Sequence, residues 1–137
     1  MSTLPSKAAA ALISSAAEAS RVDRNIQSTK VLNSQLERKY RQDAEALERE
    51  IKYQTLKFEV HTAKLNLRKF IFEDDSDSIT MLLEIITRTD KRLLEELQQK
   101  ARYLGWTFKR KQREYVGYIE RWGHEMDLWV AHEAKNQ

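Results

Sequence analysis

The residues best suited to chemistry gather in one acidic stretch. Glu73, Asp75, Asp77, Ser78 and Glu84 fall on the first, third, fifth, sixth and twelfth positions of a calcium loop set between two helices, where oxygen ligands at that spacing wrap a hard cation. The match is one of spacing only. The first position holds Glu where Asp is usual, the sixth holds Ser where the sharp turn wants Gly, and Thr80 stands where an apolar residue belongs. The simpler expectation is a polar turn in which Asp77 or Ser78 caps a following helix, its acids favoured by the positive helix end. No metal site is expected.

A second group is cationic. Lys109, Arg110, Lys111 and Arg113 are flanked by Trp106, Phe108 and Tyr115, and Arg38, Lys39 and Arg41 surround Tyr40. Cations interleaved with rings can hold phosphates and stack bases, which makes these seven the candidate contacts to nucleic acid or an anionic membrane surface. Successive residues on a helix point all round it, however, so Phe108 and Tyr115 can be core while the cations stay solvated. Acids stand four residues on, Glu114 from Arg110 and Glu125 from Arg121.

His61, His124 and His132 complete the inventory. Glu120 and His124 share a helix face and could supply two metal ligands, but nothing places a third, so surface histidines are expected. The chain has no cysteine, which removes disulfides, thiol nucleophiles and thiolate metal sites. It also lacks a Gly-rich phosphate loop, a Gly-x-Ser-x-Gly elbow and a His-Glu-x-x-His motif. No catalytic residue, cofactor or small-molecule substrate is expected, and the chain reads as non-enzymatic.

The elements that carry these residues are written in an apolar period of seven that runs forwards and then backwards. The forward line is Val22, Thr29, Leu36, Ala44, Ile51, Phe58, Leu65 and Phe72; the return line is Ile79, Ile86, Leu93, Ala101, Phe108, Tyr115, Trp122 and Trp129. Each contains a single longer step, Leu36 to Ala44 and Leu93 to Ala101. Folded about the acidic stretch, Phe72 meets Ile79, Leu65 meets Ile86, Phe58 meets Leu93, Thr29 meets Trp122 and Val22 meets Trp129. A seven-residue apolar repeat keeps one stripe of a supercoiled helix facing its partner. The expected fold is all-α: an elongated, coiled-coil-like antiparallel helical hairpin over residues 18–137, preceded by a small-residue arm over 1–17.

Composition agrees. Of 137 residues, 33% are charged, with 24 Lys and Arg against 21 Asp and Glu, and the only proline is Pro5. Nothing later forbids helix by proline, and a net charge of +3 is too balanced to make the whole chain a polyanion binder. The run Ala8 to Ala17 is broken by Ser14 and Ser15 and falls short of the ~18 apolar residues a membrane span needs. A soluble chain without a cleaved signal peptide is expected, its compartment unspecified. Gly105 followed by Trp106-Thr107 predicts a kink, with Thr107 capping a further helix. Gly117 and Gly123 within that helix point to close approach of another backbone.

A second stripe lies beside the forward seam: Leu56, Val60, Ala63, Leu67 and Phe70. The return helix repeats the excess with Met81, Leu82, Leu83, Ile85, Leu94 and Leu97. Two helices cannot cover faces this wide. Leu56, Val60, Leu67, Phe70, Leu82, Leu83 and Leu94 are therefore the candidate contacts to a second copy or another helical protein. The expected function is that of a structural or adaptor subunit of an assembly, of the kind found in virions and secretion machines.

Overall fold

Because glycine interrupts the later chain only at 105, 117 and 123 and proline never does, the backbone has little reason to leave the helix. A computed structural model describes residues 16–71 and 77–135. They form α1, Ala16–Ile71, and α2, Ser78–Lys135, which pack against each other as an antiparallel hairpin. Arg68 and Lys69 in the last turn of α1 suit the negative end of its dipole. Residues 1–15, most of the expected arm, lie outside the described residues, as do Phe72, Glu73 and Asp75. Ala16 and Ala17 belong to α1. Helix α2 runs through Gly105 and Thr107 without a new start, so Thr107 caps nothing. The helical ladder absorbs the glycine, and a Cβ placed there would meet only the Tyr40 hydroxyl, 3.6 Å away.

The pairing forms two compact units, residues up to Lys39 with Thr107 onward, and Tyr40–Trp106. In the first, Ala19, Val22 and Ile26 are the buried core, and Ile119, Trp122, Met126 and Trp129 pack against it. Small and branched side chains on α1 leave room for indoles on α2, which keeps the helices evenly spaced. Gln112 Nε2 donates to Glu37 Oε1 at 3.0 Å, and Tyr118 stacks on Trp122 with ring centres 5.8 Å apart. The Trp129 indole nitrogen is buried with no hydrogen-bond partner among the described residues, not held at a wet edge as amphipathic rings usually are.

In the second unit the forward line holds and the return line shifts. Leu65 is buried, and Ile51 and Phe58 are half-buried. On α2, however, Ile79 is half exposed and Leu93 is 40% exposed. The inward line is Thr80, Leu83, Thr87, Asp90, Leu94, Leu97, Ala101 and Leu104. From Thr80 through Thr87, Leu94 and Ala101 to Trp129 every seventh residue faces inward, so the longer step expected between Leu93 and Ala101 is absent. Polar residues on this line explain the difference. An apolar period passes over Thr80 and Thr87 and falls one position away, on Ile79 at the exposed flank and on Ile86, which is itself half-buried.

The glycines at 117 and 123 carry no close contact: a Cβ built on either meets nothing within 4 Å. The expected backbone approach is not made within this chain. Replacing Gly by Ala in a helix interior should then reveal the propensity difference alone. Gly117→Ala and Gly123→Ala are each expected to raise the unfolding free energy by about 0.5–1 kcal/mol in a urea titration. A loss of stability, or of association, would place a partner's backbone on these positions.

Candidate functional site

With Ile51, Phe58 and Leu65 at heptad position a, Gln54, His61 and Arg68 take position d of α1. On α2, Thr80, Thr87 and Leu94 take a, while Leu83, Asp90 and Leu97 take d. This arithmetic puts three polar residues on neighbouring rungs of the seam, a polar layer in which Gln54 and His61 stand one heptad apart on α1 with Asp90 of α2 between them. Asp90 is 3% exposed and Gln54 6%. The Gln54 side-chain amide donates to both the Asp90 carbonyl, at 3.2 Å, and its carboxylate Oδ1, at 3.1 Å. His61 Nδ1 lies 2.5 Å from Asp90 Oδ2; an ionised carboxylate only accepts, so this nitrogen carries the proton. Burial is the largest influence on Asp90 and pushes its carboxyl up. The hydrogen bonds from His61 and Gln54, helped by the charge of Lys57, outweigh it and hold the group below its ordinary 3.8.

The end of the seam is polar as well. The Asp77 carbonyl accepts from the Met81 N–H at 3.0 Å and its Oδ1 from the Ile79 N–H at 3.3 Å, so Asp77 is the N-cap of α2. Its other carboxylate oxygen accepts from Arg68 Nη2 and from the Thr80 hydroxyl at 3.4 Å. The Arg68 hydrogen bond, foremost, holds the Asp77 carboxyl below the usual carboxylate value. Lys69 and Glu84 are 3.2 Å apart. Two of the calcium-loop positions are thus engaged in a cap and in ion pairs, Glu73 and Asp75 lie outside the described residues, and among those described no three acids or histidines come together.

His61 is not the surface histidine expected from sequence; it is half-buried in the seam, whereas His124 and His132 are exposed. Gln54 and Asp90 were missed altogether. The signal for Asp90 was present, since it stands seven residues from both Leu83 and Leu97, but it is a polar residue on an apolar line.

The outward face is the converse. Leu56 is 60% exposed, Val60 50%, Leu67 59% and Phe70 87%, and Leu82 is similarly open. Tyr53, Leu56, Val60, Ala63, Leu67 and Phe70 occupy c and f of the α1 heptad. The stripe is therefore nearly opposite the seam, and not beside it as the spacing had suggested. Leu83 and Leu94 are half-buried on the inward line of α2 and leave the outward set. Exposed Met81 and Ile85 stand on the outer side of that helix instead.

The basic runs are solvated helix faces. Lys111 pairs with Glu114 at 3.3 Å and lies over the Tyr115 ring at 5.2 Å, and Arg113 Nε donates to the Lys109 carbonyl at 3.5 Å. Arg110 has an interaction partner as well, and Phe108 and Tyr115 are half-buried. Arg38, Lys39 and Arg41 are exposed. No described helix is long and apolar enough to cross a membrane. Comparison with protein-family models, curated proteins and solved structures gave no match.

The polar layer predicts two measurable effects. Asp90→Leu leaves the His61 N–H without its acceptor and the Gln54 amide with only the main-chain carbonyl of residue 90, and should cost about 2–4 kcal/mol, whereas leucine at 54, 61 and 90 together should recover most of that loss, since apolar packing can replace a buried polar set. The second effect is in pH. Both Asp77 and Asp90 are depressed in the folded chain, so their stabilisation is complete above the ordinary value of 3.8 and disappears as pH falls through the folded values. Melting temperature should therefore drop steeply on acidification past that point, and less steeply in Asp90→Asn.

Proposed function

We propose that this chain is a non-enzymatic structural or adaptor subunit that assembles by packing its second unit against further helices. One observation carries the reading: in that unit the seam is rich in polar residues while large apolar side chains point out. Gln54, His61, Arg68, Thr80, Thr87 and Asp90 face inward, and Leu56, Val60, Leu67, Phe70, Met81, Leu82 and Ile85 face solvent. Scattered exposed apolar residues are ordinary, but a stripe at heptad spacing is a pattern made for another helix. Burying one such side chain contributes roughly 1.5–3 kcal/mol, so covering the stripe is a strong drive to associate.

The test separates the seam from the stripe. Leu67→Glu with Phe70→Glu should abolish association, whether with another copy or with a helical partner, as read by sedimentation, and leave helicity by circular dichroism unchanged. A native chain that is monomeric at all concentrations, with Leu67 and Phe70 shielded by its own first residues, would overturn the reading.

A further inference from the structure

The charges bordering the stripe say what kind of helix fits it. On α1 the c and f positions are edged by g, where Lys57 and Lys64 stand. Lys57 lies over the Tyr53 ring at 6.0 Å, and neither lysine has a carboxylate within ion-pair distance among the described residues. The outer side of α2 repeats the pattern. Its open groove is lined by Ile85, Arg88, Thr89, Lys91, Arg92 and Glu95, three cations to one acid, and none of the three is paired among the described residues. Three carboxylates of this region are used inside the hairpin, Asp77 by Arg68, Glu84 by Lys69 and Asp90 by His61, while Glu50, one heptad before Lys57 on the same edge, is exposed beside Tyr53. Along Leu56 to Phe70 the g edge of the α1 stripe is therefore cationic, with Lys57 and Lys64, and Glu59 stands on the other edge; the α2 groove lies on the opposite side of the hairpin and does not border this stripe.

We infer that the occupant of this face is a partner helix whose apolar stripe is edged by glutamate or aspartate, and that it is not a second copy of this chain. The inference rests on the assembly reading above. Self-pairing is disfavoured by the edges. An antiparallel pair sets like edge against like, so in the register that overlaps the stripes fully Lys57 meets Lys64 of the copy and Lys64 meets Lys57, with Glu50 opposite Ile71. A parallel pair in register sets Lys52 against Lys57, which offsets the one favourable match of Glu59 with Lys64. An anionic bilayer would satisfy the cations, but Glu73, Asp74, Asp75 and Asp77 bring acid to the same end of the sequence, which such a surface repels.

Two designed amphipathic peptides of about three heptads test this, each with leucine at a and d, one with glutamate and the other with lysine at e and g. Binding of the labelled peptides to the full chain is followed by fluorescence anisotropy. The glutamate peptide should bind about tenfold or more tightly than the lysine peptide, and the difference should shrink as salt is raised. Lys57→Glu with Lys64→Glu should reverse the preference, and Leu67→Glu with Phe70→Glu should abolish binding of both. Equal binding of the two peptides would overturn the inference and leave the assembly reading standing. If neither binds and the chain self-associates through Leu67 and Phe70, the occupant is a second copy and the inference fails. If neither binds and the chain is monomeric, both readings fail. Flotation with phosphatidylserine vesicles, lost with the lysine-to-glutamate variant and stronger than peptide binding, would assign the face to lipid instead.

Discussion

A carboxylate that is almost fully buried must keep its donors, and the second unit is organised around that requirement. Asp90 receives hydrogen bonds from Gln54 and from His61, which are successive d positions of the opposite helix. Sliding α2 along α1 by one heptad would keep the apolar contacts roughly equivalent, since one aliphatic residue replaces another at each layer. It would not keep these bonds. An ion left in the seam without donors costs several kcal/mol, more than any single aliphatic mismatch. The polar layer thus weakens the seam as an adhesive and strengthens it as a specifier of alignment. Thr80 and Asp77 act alike at the end of the seam, where one carboxylate caps α2 and pairs with Arg68 of α1.

The same layer sets what could be read from sequence. Helical content, the reversal of the seven-residue period and the antiparallel pairing were legible because they rest on spacing, as were Val22, Leu65, Trp122 and Trp129 as inward residues. The alignment of α2 before Ala101 was not. There the inward positions include Thr80, Thr87 and Asp90, and the apolar rule selected Ile79 and Leu93 on the exposed flank and Ile86, which is half-buried. Leu83 and Leu94 were assigned outward for the same reason. A polar residue in a seam is identifiable only through its partners, and Gln54, His61 and Asp90 come together from separate helices. The outward stripe was visible as a stripe; its place nearly opposite the seam required the seam to be located first.

The two units differ in how far they satisfy themselves. In the aromatic unit, Trp122, Trp129, Ile119 and Met126 close over Ala19, Val22 and Ile26, and the exposed apolar residues Val31, Leu32, Val116 and Val130 do not extend into a continuous stripe along either helix. Large rings bring more apolar surface to the seam than leucine or alanine would.

The second unit is finished only on one side. Its helix α1 carries two heptad lines almost opposite each other, one polar enough to specify alignment and one apolar enough to drive contact. A lone hairpin gains nothing from the second line and bears its exposure to water. Exchanging the two lines would give a better-packed hairpin with a polar surface, so hairpin stability alone does not account for the arrangement. The proposed assembly would account for it by packing α1 between two neighbours: the inner face fixes where α2 lies, and the outer face, with Lys57 and Lys64 along its edge, is the one proposed to take the partner helix.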